Sequence, residues 1–147
     1  MLKGIPPELT PDLLHVLASM GHGDEIVLVD QNFPSASVAG EAPLIELPGV
    51  SAPRAARAVL ALMPLDDFVE ASAFRMEVVG DPARWEEVQS EVAAEIAAAE
   101  PRAPGMASLE RHAFYARAKE AFAVVRTGET RLYGCFLFKK GIVRPRP

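Results

Sequence analysis

The run Ile26-Val27-Leu28-Val29, preceded by Gly21-His22-Gly23-Asp24 and closed by Asp30, constrains the fold more than any other segment. Four consecutive apolar residues, three of them β-branched, are too few for a helix. They read as a strand buried on both faces, which is the habit of largely parallel sheets covered by helices. The segments around it alternate between strand and helix patterns. Thr10-Pro11-Asp12 supplies an N-cap, a first-turn proline and an early acid for a helix over Pro11–Met20. Leu44-Ile45-Glu46-Leu47 predicts a short strand closed by Pro48-Gly49. Ser51 can cap a helix whose apolar positions Ala55, Ala56, Val59, Leu60 and Met63 end at Pro64, with Arg54 and Arg57 on its exposed side.

Phe74, Met76 and Val78 alternate with Arg75 and Glu77, which predicts a strand with one wetter face ending at Gly80. Asp81-Pro82 opens a helix in which Trp85, Val88, Val92 and Ile96 form the apolar stripe, and Glu86, Glu87, Gln89, Glu91 and Glu95 the polar side, as far as Pro101. A further helix over Arg111–Glu120 leads into Ala121-Phe122-Ala123-Val124-Val125, the turn Thr127-Gly128-Glu129, and a last strand over Tyr133–Phe138. Lys139-Lys140-Gly141 then turns the chain into a Pro/Arg-rich tail expected to fray. The pattern predicts one α/β domain over 1–147, with helices on both faces of a mixed, largely parallel sheet. Sites in such sheets lie beyond strand ends.

Composition narrows the partners. Fifteen Lys+Arg against 20 Asp+Glu give a net charge of −5, so there is no basic footprint for nucleic acid or an anionic membrane. One cysteine forms no internal disulfide, which fits a reducing cytoplasm, and the early prolines interrupt any signal-peptide core. No stretch reaches the roughly 18 apolar residues of a membrane span. Metal-ligand spacings such as H-x-x-x-H or C-x-x-C, glycine-rich phosphate loops and a nucleophile elbow are all missing from the sequence, so no metal is expected and nucleotide binding is demoted without being excluded.

His22 projects from a glycine-flanked stretch, and histidine is the side-chain type best suited to general acid/base work; a solvated turn residue is the plainer alternative. Asp30 stands at the mouth of the sheet, where it either meets a ligand or caps the Gln31-Asn32-Phe33 turn. About six residues at ~3.3 Å each separate the two by roughly 20 Å along the strand. A shared site therefore needs a folded-back loop or a second subunit. Arg111 and Tyr133 can each place a polar group at a sheet edge, Cys135 reads as inert packing, and His15 and His112 read as helix-surface residues.

Several separated blocks, in order, resemble the fucose mutarotase and ribose pyranase family of sugar-anomer isomerases, and its L-fucose branch more closely. They are Met1-Leu2-Lys3-Gly4-Ile5, Leu17 through Asp30, Asn32-Phe33-Pro34, Arg111 through Ala118, and Thr127-Gly128-Glu129 with Tyr133-Gly134. The resemblance implies that His22 is the acid/base group and Asp30 a sugar-binding carboxylate. Arg111 falls where the ribose branch has histidine, which favours fucose. Tyr133, Gly134 and Cys135 fall on a Tyr-x-Asn sugar-contact segment, with Cys135 in place of asparagine, so a hydroxyl contact is lost or the preferred sugar altered. The resemblance also implies a cytoplasmic, cofactor-free isomerase of a monosaccharide, assembled as a ring-shaped decamer with sites shared between subunits. A ribose-type pyranase and a non-catalytic sugar-binding accessory protein are the rival readings.

Overall fold

The structure is a computed structural model and describes residues 1–145. Six strands, β1 (Glu25–Val29), β2 (Leu44–Leu47), β3 (Ala73–Met76), β4 (Ala107–Leu109), β5 (Ala123–Thr127) and β6 (Phe136–Lys139), form one sheet in the order β2-β5-β1-β6-β3-β4. The β1–β5, β2–β5 and β3–β4 pairs are parallel, and β6 alone runs against its neighbours β1 and β3. The expected α/β architecture with a mixed, largely parallel sheet is thus the observed one.

Central β1 explains its own sequence. Val27 lies between Val124 and Leu137, and Leu28 between Val125 and Phe136, so both strand edges are paired. Ile26 and Leu28 face a core built with helices α1 (Pro11–Ser19), α3 (Ala52–Leu60) and α4 (Glu87–Ala99). Val27 and Val29 face a second core with α2 (Ser35–Ala39) and α5 (Arg111–Lys119). All four side chains are fully buried, and each contributes about 1.5–3 kcal/mol relative to exposure.

Thr10 caps α1 as its sequence predicts, its hydroxyl accepting from the Leu13 amide at 3.3 Å. Ser51 occupies the N-cap position of α3, but its side chain makes no cap bond; the first amide, Ala52, donates instead to Glu129 from 77 residues away.

Other boundaries move. Residues 81–86 turn rather than open α4, and Trp85 is 43% exposed, with the Arg75 guanidinium stacked 4.5 Å from its ring. Arg75 is itself buried, which corrects the wetter face expected for β3: α4 covers that side. Gln89, expected among exposed polar residues, is wholly buried. Short α2 and edge strand β4 were not expected. β6 begins at Phe136, because Tyr133 has a positive φ of 61° that no strand admits. Tail residues 141–145 have no regular structure, and the rest of the expected frayed tail, 146–147, lies outside the described residues.

Because β6 returns on the far side of β1 from β5, the segment 128–135 must cross the C-terminal end of β1. At the opposite end the Lys140 ammonium donates to the Leu17 and Met20 carbonyls at 2.8 and 2.6 Å, closing the C-terminus of α1. Gly141 passes so close to the backbone that a Cβ there would sit 2.4 Å from the Leu65 carbonyl oxygen. Backbone cannot yield as a side chain can. Gly141→Ala is therefore expected to cost about 1–3 kcal/mol, read as a lower urea midpoint; an unchanged midpoint would contradict the packing described.

Candidate active site

Asp30 follows directly after β1 and is buried, and each of its carboxylate oxygens accepts two bonds from the protein. Its Oδ1 accepts from the Asn32 and Phe33 amides at 3.0 and 3.1 Å. Its Oδ2 accepts from the Gly134 amide at 3.2 Å and from the Cys135 thiol at 3.4 Å. The carboxylate thus caps the turn after β1 and also anchors the crossing segment; the two readings of Asp30 are compatible. Burial first, then the neighbouring Asp30 charge, push the Cys135 thiol well above its ordinary value, so it stays a neutral donor.

Glu129 holds the crossing segment from the other side. It accepts from the amides of Thr130, Arg131 and Ala52, and from the Arg131 guanidinium at 2.9 and 3.0 Å. Burial alone would raise its pKa, but the Arg131 guanidinium and these amides win and hold it at about 2. Glu91 grips the far side of the same guanidinium at 3.1 and 2.8 Å. Gly134 is obligatory here, since a Cβ would come 2.8 Å from the Glu129 Cγ.

Above Asp30 opens a cavity of about 230 Å³ lined by Asp30, Asn32, Arg111, Tyr115 and Tyr133 over an apolar floor of Phe33, Met76 and Cys135. That is below the ~300–1,000 Å³ typical for drug-sized ligands and suits one small polar ring. Arg111 begins α5 and lies one turn from Tyr115, its guanidinium 5.4 Å from that ring. The Tyr133 hydroxyl accepts from the Val79 amide at 3.2 Å, which leaves its own proton for a ligand. The structure therefore brings Asp30, Arg111, Tyr133 and Cys135 to one cavity, with the Gly134 amide just beneath it.

His22 is elsewhere. It sits before β1, at the other end of the sheet, in a loop tied by the Gly21 amide to Asp24 (2.7 Å) and by the Gly23 amide to the Lys140 carbonyl (2.9 Å). Its Nε2 lies 3.2 Å from Oδ1 of the buried Asp66, its ring is 5.7 Å from Phe68, and 47% of the side chain is exposed. Asp66 is held below the ordinary carboxylate value: burial pushes upward, and the Phe68 amide and His22 outweigh it. His15 and His112 are exposed on their helices. Among the described residues no group of three or more His, Cys, Asp or Glu side chains converges as a metal site.

A sequence model of the RbsD/FucU transport protein family matches residues 3–143. The chain belongs to this family. Within it, the chain is 47% identical to the fucose mutarotase of Homo sapiens over 151 residues, covering 99% of this chain and 97% of that one. Among solved structures it is similar to the fucose mutarotase of Streptococcus pneumoniae in complex with L-fucose, at 42% identity and a TM-score of 0.87, covering 97% and 100% of the two chains. Bacillus subtilis RbsD complexed with D-ribose shares the fold alone, at 23% identity and a TM-score of 0.73, covering 98% of this chain and 100% of that one.

The sequence reading missed Asn32 and Tyr115 in the cavity. Both stand in the blocks that carry the family resemblance, and the spacing of four along α5 is a signal that could have placed Tyr115 beside Arg111. Asp66 beside His22 and Gln89 beneath Tyr133 gave no such local signal.

Proposed function

We propose that this chain is a mutarotase that interconverts the α and β pyranose anomers of L-fucose or a closely related monosaccharide, as a cytoplasmic enzyme of carbohydrate metabolism. The observation that carries the reading is the convergence of Asp30, Arg111 and Tyr133 on one sugar-sized cavity, in a chain whose relatives are named fucose mutarotases. Anomer exchange moves only protons. A base takes the anomeric hydroxyl proton and an acid protonates the ring oxygen. The C–O bond opens to the aldehyde, rotation exposes its other face, and reclosure returns both protons. No cofactor is needed. Arg111 and Tyr133 orient the hydroxyls, Asp30 joins them where a hydroxyl takes the place of the weak Cys135 thiol donor on its Oδ2, the Gly134 and Cys135 segment forms the adjoining wall, and His22 is the acid/base group.

His22 reaches the cavity only from another copy, since it and Asp30 flank opposite ends of β1. Each end also carries exposed apolar side chains: Phe68 beside His22, and Val79 and Leu132 at the cavity rim. Two unlike patches on opposite ends favour a head-to-tail contact, which closes into a ring when the rotation allows. A ring-shaped decamer with sites shared between neighbours is the assembly proposed, each subunit one domain over 1–147.

Arg111 supplies the choice of sugar. L-fucose is expected to undergo enzyme-dependent anomer exchange faster than D-ribose at equal concentration, measured by magnetisation transfer between anomeric protons. Faster exchange of ribose would favour the pyranase reading instead.

A further inference from the structure

Among the described residues Tyr133 is the one non-glycine with a positive φ, 61°. A tyrosine holds that conformation only where its surroundings over-determine it. Three ties do so. The phenol oxygen accepts from the Val79 amide, the following amide of Gly134 donates to Asp30, and the Tyr133 carbonyl accepts from Gln89 Nε2 at 3.2 Å.

Gln89 is the least expected of these. It stands on α4, lies outside the cavity lining and is fully buried. Its second Nε2 hydrogen goes to the Met76 carbonyl at 2.8 Å, and its Oε1 accepts from the Glu86 amide at 3.2 Å and from Arg75 Nη1 at 3.4 Å. Both donors and both acceptor positions are therefore in use. Met76 ends β3 and Val79 follows three residues later, so the amide that holds the Tyr133 backbone also holds the strand end leading to the group that holds its hydroxyl. One side chain fixes both ends of the tyrosine relative to the cavity. Arg75, stacked on Trp85 and donating to the Pro82 carbonyl at 2.8 Å, presents its Nη1 to the Gln89 acceptor.

We propose that Gln89 is a positioning residue that aims the Tyr133 phenol into the cavity, and that it governs turnover of the sugar through that phenol alone. The inference rests on the function proposed above. Its test is a double-substitution cycle of Gln89→Met, close in volume and a good helix former but without donors, with Tyr133→Phe. Gln89→Met alone is expected to lower kcat/KM for L-fucose anomer exchange about tenfold, the scale of a sub-ångström misplacement. In the Tyr133→Phe background the same change is expected to lower it less than about twofold. Equal losses in both backgrounds would mean a general packing role and would overturn the proposal, as would an unchanged rate in the Tyr133 background. Should Gln89→Met not fold, Gln89→Leu serves the same cycle. In the unaltered protein, saturating L-fucose should also shift the 15N resonance of the Gln89 side-chain amide; an unmoved resonance would count against the proposal. Absence of exchange in the unaltered protein is the distinct failure of the mutarotase reading itself.

Discussion

His22→Ala is expected to abolish anomer exchange while L-fucose binding persists. Acid–base assistance of this kind is worth about 10²–10⁴-fold, and His22 is half exposed and outside the cavity, so its loss removes a contact to Asp66 and leaves the sugar-binding residues in place. The sharper result concerns where the histidine acts. Arg111→Glu places the wrong charge on an exposed cavity residue and should leave the fold intact while removing sugar binding. Each variant alone should be inactive. Co-assembled in equal amounts, they should recover activity. A site is whole when an Arg111→Glu subunit lends its His22 to the cavity of a His22→Ala subunit, which random head-to-tail pairing gives in about a quarter of contacts. No recovery from co-assembled subunits would place His22 and the cavity in separate machinery.

Glu129→Ala is expected to destabilise the protein by about 3 kcal/mol and to disorder the segment that carries Tyr133. It strips the α3 N-terminus of its acceptor and leaves Arg131 with Glu91 and a remote Glu87. The same ties give a pH dependence. Glu129 is held at about 2 in the fold against an ordinary 4.5, so the folded state binds its proton less readily than the unfolded chain. Its stabilisation is complete above pH 4.5 and is lost as pH falls from there towards 2, about 3 kcal/mol across that window. Glu129→Gln should flatten the acid limb of a urea-midpoint profile between those values. A parallel acid limb in the variant would show that the carboxylate is not responsible.

How much of this was legible in the chain depends on the range of the interaction. β1 was legible because a strand paired on both edges and covered on both faces must be apolar throughout. Strand length alone also placed His22 and Asp30 at opposite ends, and the fold keeps them there. Thr10, Pro11 and Leu13 set the start of α1 within one turn. By contrast, β4 is Ala107-Ser108-Leu109 at a sheet edge, too short and too mixed to carry a period, and α2 has five residues. Glu129 caps a helix 77 residues away, and no local pattern signals such a bond. Gln89 and Arg75 misled for one reason: polar residues next to an apolar stripe normally face water, but here Gln89 is satisfied inside, and the Arg75 head is held by a carbonyl, an amide oxygen and an aromatic face although its Nε has no partner. Cys135 was legible as buried, though not as the donor to Asp30 that occupies an oxygen facing the cavity.

The central claim is tested most directly by magnetisation-exchange NMR of the anomeric protons of L-fucose with and without the purified protein. The account predicts cross-peaks between the α and β pyranose signals that grow with protein concentration and vanish in His22→Ala. Line broadening that reports binding without any α/β exchange, for fucose, ribose and galactose alike, would contradict it and leave a sugar-binding protein built on a mutarotase scaffold.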